Sequence, residues 1–371
     1  MNELIEVAGH VTVYENPIPN LASRFASFPG LAKLPSGDIV ALFAIGEAFD
    51  AMNNAVFVSR SRDSGKSWVL EGPMHRDSKF RNIGPCSLKP AVLDDGTLIA
   101  SGYGFYRDNP ETFANTETGG LPGGPNLFCF SKDEGRTWSP LELIPLSRPE
   151  LLETSGPCLS LQTGELLMTG ATFPMWDGSR PSGRLGVALK SGDCGRTWND
   201  SSVFFKSRGG NISPYETRSC QMPGGKIVTL IWMLDEEAGK NLANHVVVSE
   251  DAGLTWSQAI DTGVPGQASG LIPLKDNLLL SIHAYREVNP GLYVHLVDFT
   301  DNRWKIITTS RIWGNAPSTH ITNLQEMGKN LKFGQPSLLP LGGNEYLAAH
   351  WAVQDCTGKI LAHRIRVNYS V

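Results

Sequence analysis

Apolar positions along this chain come in short runs, and the runs come in pairs. Six times an aliphatic stretch reaches a turn and then resumes: GLAKLPSGDIVALF at 30–43, AVLDDGTLIASG at 91–102, CLSLQTGELLMTG at 158–170, CQMPGGKIVTLIW at 220–232, GLIPLKDNLLLSI at 270–282 and PSLLPLGGNEYLAAH at 336–350. Short runs of strand-forming residues closed by turn residues predict β-hairpins, and no stretch of comparable length keeps a helical period.

A second repeat follows the first four hairpins. The octet S-x-D-x-G-x-[ST]-W begins at Ser61, Ser131, Ser191 and Ser249, at spacings of 70, 60 and 58 residues. In a tight turn the Asp side chain can accept backbone N–H groups, Gly supplies a positive φ, and the Trp folds back as an apolar plug. Each unit therefore reads as strand A, hairpin turn, strand B, a variable loop, strand C, the octet turn and strand D. Six units of this kind account for residues 1–371 as a single domain, and the strand-like opening segment 3–15 is expected to pair with the last unit as its outer strand.

The octet together with the hairpin repeat resembles the Asp-box, or bacterial neuraminidase, repeat of the sialidase superfamily, over nearly the whole chain. The resemblance implies an all-β fold, a six-bladed β-propeller of four-stranded antiparallel blades, and glycoside hydrolysis as the activity. Strand direction puts the A–B turns and the octets on one face. The octets are then structural, and a site belongs to the opposite face, where A strands begin and B–C loops converge on the axis.

Those loops carry Arg107, Arg180, Arg184 and Arg286, with Tyr106, Trp176 and Tyr285 beside them. Fork-shaped donors and aromatic faces suit a sugar, especially one bearing a carboxylate or sulfate. Carried over residue by residue, the resemblance makes Asp50, in the first B–C loop, the general acid/base. It also places Glu216, nine residues before Gly225, at the family's strand-start glutamate. Two carboxylates from different blades are what cleavage of a glycosidic bond requires. Elsewhere the chain departs from the pattern. Ser27-Phe28-Pro29 stands where the family has Arg-Ile-Pro, with Arg24 three residues upstream, and Phe333, nine residues before Gly342, stands where the family has its nucleophilic tyrosine. Arg218 and Arg286 are displaced candidates for the remaining family arginines. With no tyrosine to activate, Glu216 becomes the nucleophile or its helper.

The expectation is an exo-acting glycosidase that removes a terminal acidic sugar. Arg24, Arg107, Trp176, Arg180, Arg218, His283, Tyr285, Arg286, Phe333 and His350 are its candidate contacts. The alternatives are a carbohydrate-binding propeller without catalysis, or a sugar-acid lyase with His283, Tyr285 or His350 as base.

Composition narrows the partners. Lys and Arg number 32 against 37 Asp and Glu, a net charge of −5 without long runs of either sign, so no nucleic-acid partner is expected. The first thirty residues lack the pattern of a secretory signal and no window is apolar enough to span a bilayer, so a cytoplasmic protein without a membrane partner is expected. Gly 39 and Pro 24 make 63 of 371 residues, about 17 % against an average of roughly 12 %, in keeping with a chain that turns often. Six scattered cysteines show no C-x-x-C, so neither a metal nor an organic cofactor is expected. Oligomeric state is left open.

Overall fold

The computed structural model describes residues 4–75, 83–314, 316–320 and 330–369. Their strands form six antiparallel sheets. Blade 1 runs Phe25–Lys33, Ile39–Gly46, Ala55–Ser61 and Val69–Pro73 from inside to outside. Blade 2 begins with Ile83–Val92, blade 4 with Ile212–Gln221, blade 5 with Ser269–Pro273 and blade 6 with Phe333–Gly342. In blade 3 the inner strand is broken into Leu152–Glu153 and Leu159–Ser160, both paired with Leu166–Thr172.

The ring is closed by the inner strands. Phe25–Lys33 packs against both Ile83–Val92 and Phe333–Gly342, and the latter packs against Ser269–Pro273. The outer strand of blade 6 is Ile5–Tyr14, paired antiparallel with Thr357–Val367 from Ile5 opposite Val367 to Tyr14 opposite Ile360. Joining the two ends of the chain in one sheet removes an open edge. Between blades 6 and 1, Ile39, Ala41 and Phe43 interdigitate with Leu347, Ala349 and Trp351. Each fully buried aliphatic or phenyl side chain there contributes about 1.5–3 kcal/mol.

The octet turns lie at the C–D connections, on the face of the A–B turns. Asp63 accepts the N–H of Lys66 at 3.0 Å and that of Ser67 at 2.9 Å, while Ser61 Oγ accepts the N–H of Gly65 at 2.7 Å. Hydrogen bonds from Ser67 hold the Asp63 carboxyl down at about 2. Trp68, Trp138, Trp198 and Trp256 pack against the cores beneath their turns. Octets of one blade also meet A–B turns of another, as where Glu134 Oε1 accepts the N–H of Ser36 at 2.9 Å. Blade 5 has a turn of this kind that the motif missed. Asp298 accepts the N–H of Thr300 at 3.1 Å, Trp304 packs with Phe299 in that blade's core, and Asp301 and Asn302 take the positive φ in place of glycine.

A bulge recurs on the inner strands. Register slips by one residue between Ser27 and Gly30, between Tyr215 and Arg218, and between Gly334 and Ser337. At these slips Phe28, Glu216 and Gln335 take φ values of 59°, 43° and 41°. A non-glycine residue in this region costs roughly 1–3 kcal/mol, and what the bulge achieves is to re-aim one side chain. All three turn into the same axial pocket.

Candidate functional site

The pocket opens on the face opposite the octets. Its wall is aromatic and nearly continuous: Tyr103 meets Phe105 at 5.6 Å between ring centroids, Phe105 meets Phe173 at 5.8 Å, Phe173 meets Tyr215 at 6.3 Å and Tyr215 meets Trp232 at 5.6 Å. Phe28 and Phe49, 5.0 Å apart, complete it on the blade 1 side. Three carboxyl groups and one amide enter this apolar ring: Asp50, Glu153, Glu216 and Gln335. The cavity is a throat of about 50 Å³, room for only a few waters. That volume is smaller than a sugar ring.

Asp50 is half-buried on the loop 47–54. Burial raises its carboxyl to about 7 against the pull of Arg107. Arg107 is itself buried and clamps two loops, donating through Nη1 to the Asp50 carbonyl and through Nη2 to the carbonyls of Asn109 at 3.3 Å and Pro110 at 3.2 Å.

Glu216 lines the same pocket from blade 4. Its Oε1 accepts Gln335 Nε2 at 2.9 Å and its backbone N–H donates to Glu153 Oε2 at 2.5 Å. The other oxygens, Glu216 Oε2 and Glu153 Oε1, are buried without a protein partner. A buried acceptor without a protein partner is satisfied by water, an ion, a proton or a ligand. Burial and the neighbouring Glu216 raise the Glu153 carboxyl well above the ordinary range, so Glu153 favours its protonated form.

Basic side chains lie beneath the pair. Lys89 Nζ donates to the carbonyls of Phe28 at 2.6 Å and Pro29 at 3.2 Å and to Gln335 Oε1 at 3.2 Å, which links it to Glu216 through one amide. Arg218 Nη1 donates to Ser155 Oγ at 2.7 Å, and Arg286 Nη1 to Gln267 Oε1 at 2.9 Å, with the Arg286 guanidinium 5.7 Å from the Trp232 ring centre. All three are buried.

The structure thus brings Asp50 and Glu216 into one pocket and sets Arg218 and Arg286 close behind it, but places the other sequence candidates elsewhere. Arg24 is exposed beside Tyr14, away from the pocket lining. Arg180 is spent on Glu236 at 2.8 Å and the Thr172 carbonyl at 2.8 Å, behind the pocket residue Tyr215. His283 is sealed inside blade 5 between Asn244 and Ser281, Tyr285 stacks on Tyr293, and His350 stacks on His363 inside blade 6. None of these three lines the pocket. Phe333 is fully buried against Trp313, and the residue that occupies in blade 6 the place of Glu216 in blade 4 is Gln335. Counting back nine residues lands on Phe333 because Gly342 still belongs to the strand; the hairpins of blades 4 and 6 are equally long, with Tyr215 opposite Trp232 and Gly334 opposite Trp351, so the position that matches Gly225 is Asn344, nine residues after Gln335.

Glu153, Lys89 and Gln335 were not singled out from the sequence. Gln335-Pro336 in blade 6 repeats Phe28-Pro29 of blade 1, and that likeness is the signal available for Gln335. Glu153 and Lys89 have no motif of their own.

No family model matches the chain, and no curated protein sequence matches it. Solved structures do. A protein of unknown function from Dyadobacter fermentans superposes with a TM-score of 0.78 at 20 % identity, over 98 % of this chain and 99 % of that one. A Hadza microbial sialidase gives 0.64 at 18 %, over 92 % of this chain and 66 % of that one. The Penicillium chrysogenum α-L-arabinanase, solved with arabinobiose, gives 0.66 at 14 %, over 99 % and 100 %. The fold is a sialidase-like propeller. Within this propeller, among the described residues, no helix is long and apolar enough to cross a membrane.

Proposed function

We propose that the propeller is a glycoside hydrolase acting on a terminal sugar that bears an acidic group. One observation carries the reading: carboxyl groups from different blades meet in one apolar axial throat, and two of their buried oxygens have no protein partner. Asp50, half-buried and holding its proton up to about pH 7, suits the general acid. Glu216, steadied by Gln335, suits the carboxylate on the other side of the scissile bond, with Glu153 as its proton-bearing neighbour. Asp50 delivers a proton to the departing oxygen, the bond to the anomeric carbon breaks, and water supplies the hydroxyl that replaces it. Arg218 and Arg286 behind the pair favour a carboxylate on the sugar. The neighbours named sialidase and arabinanase support the reaction class.

Release of fluorophore from a panel of 4-methylumbelliferyl glycosides, including the N-acetylneuraminic acid and arabinofuranose derivatives, tests this. Glu216→Gln and Asp50→Asn are each expected to lower turnover at least 10³-fold, in the range of lost acid–base or nucleophilic catalysis. Full activity in either variant overturns the assignment. A second reading, a carbohydrate-binding propeller without catalysis, draws on the narrowness of the throat and on the unreactive amide of Gln335. It predicts binding without product across the panel.

A further inference from the structure

A roomier space lies one loop further out from the throat. A cleft of about 710 Å³ opens between the B–C loops of blades 2 and 3, lined by Tyr106, Arg107, Asp108, Asn109 and Trp176 among others. Tyr106 is 55 % exposed and Trp176 46 %. Leaving an indole and a phenol in water beside a concave space forgoes hydrophobic stabilisation that burial would provide, and such pairs commonly mark a binding surface.

Trp176 is exposed on a fixed base. Its carbonyl accepts Asn115 Nδ2 at 3.0 Å and Thr118 Oγ1 at 2.7 Å, which ties the blade 3 loop to the blade 2 loop. Gly120 lies so close beneath it that an added Cβ would stand 2.5 Å from that carbonyl oxygen. The indole is therefore displayed by a rigid scaffold, a low-entropy arrangement for binding.

Cleft and throat share one wall, the blade 2 loop. Phe105 lines the throat and Tyr106 the cleft; Phe113 lines the throat and Thr112 the cleft; Leu121 lines the throat and Pro122 the cleft. Arg107 reaches across this wall to the Asp50 carbonyl. A chain leaving the throat passes over a wall one backbone thick and meets the two aromatic faces next.

We propose that the Tyr106–Trp176 cleft is a second sugar subsite, holding a neutral sugar of the leaving-group glycan against the indole, with Asp108 and Asn109 meeting its hydroxyls. Asp108 is exposed at the cleft, and Arg107 is itself buried with both Nη atoms given to backbone carbonyls, so among the described residues that line it the cleft offers an acidic unit no exposed cation. The inference rests on the glycosidase reading for its direction. It makes the substrate an oligosaccharide and not a simple glycoside.

Intrinsic tryptophan fluorescence with 3′-sialyllactose, lactose and α-1,5-arabinotriose as probes tests it, on the wild-type protein, Trp176→Ala and Tyr106→Ala. At least one probe is expected to bind with a fluorescence change that Trp176→Ala abolishes, and with affinity about tenfold weaker in Tyr106→Ala. Both variants should melt as the wild type does, because the side chains are exposed. In turnover, Trp176→Ala should lower kcat/KM about tenfold for the oligosaccharide. No binding of any probe, or equal binding by all three proteins, overturns the subsite. Trp176-dependent binding without any hydrolysis keeps the subsite and removes the hydrolase reading; hydrolysis indifferent to Trp176 does the reverse.

Discussion

Replacing Asp50 by Asn should stabilise this protein, and by an amount that depends on pH. A free aspartate ionises at about 3.9, whereas burial raises Asp50 to about 7. Between those values the folded protein keeps a proton that the unfolded chain has lost, so folding stability falls as pH rises through the window and levels off above it. At about 1.36 kcal/mol per pH unit the full difference is about 4 kcal/mol, and solvent reaching a half-buried carboxyl trims it to about 2–4 kcal/mol. Asn carries no proton and escapes this loss. Urea unfolding followed by tryptophan fluorescence at pH 4, 5, 6, 7 and 8 measures the difference between the two proteins. It is expected to grow steadily from pH 4 to pH 7 and then hold. His295 and His363, which burial lowers to about 4, lose stability in the opposite sense as pH falls below 6.5, but they do so in both proteins and cancel. A difference constant over pH 4–8 refutes the reasoning, since Asp50 would then ionise in the fold as it does in water and could not store a proton for a leaving group.

Other consequences follow from named contacts. Gln335→Leu strips a hydrogen bond from both Glu216 Oε1 and Lys89 Nζ; it should cost about 2–3 kcal/mol in urea unfolding and shift the acid limb of the activity profile, whereas an unchanged profile removes Gln335 as the link between them. Ser249→Ala leaves the buried N–H of Gly253 without its 2.8 Å acceptor and should cost about 1–3 kcal/mol, read as a lowered Tm. The exposed octet residue Arg196 should be replaceable by Ala with a change within about 0.5 kcal/mol.

Octets and hairpins were legible because they obey local rules. A Ser-Asp-Gly-Trp turn makes its hydrogen bonds within eight residues, as Ser61, Asp63 and Gly65 do, so its form survives in any context and can be counted along the chain. Blade number and strand order followed from that count. Blade 5 escaped the motif because only Trp304 matches it; Val297, Phe299, Asp301 and Arg303 stand at the Ser, Asp, Gly and Ser/Thr positions, and Asp301 and Asn302 take the positive φ.

The carboxyl pair was only half legible. Asp50 and Glu216 sit at fixed offsets from local signals, one in the first B–C loop and one nine residues before the glycine of a five-residue turn. Glu153 belongs to a broken strand with no repeat partner, and it meets Glu216 across 63 residues of chain. Lys89 reaches Gln335 across 246. His283 and His350 looked equally well placed in sequence, yet alternation along their strands turns them into blade interiors.

The chain by itself determined a repeating four-stranded unit, its sixfold count and the face on which its variable loops gather, because turns and strand alternation are settled by neighbours in sequence. Only the closed ring decided which side chains share the axis. Bulges at Phe28, Glu216 and Gln335 swing single residues inward, and the burial that lifts the Asp50 and Glu153 carboxyls exists only where several blades exclude water together.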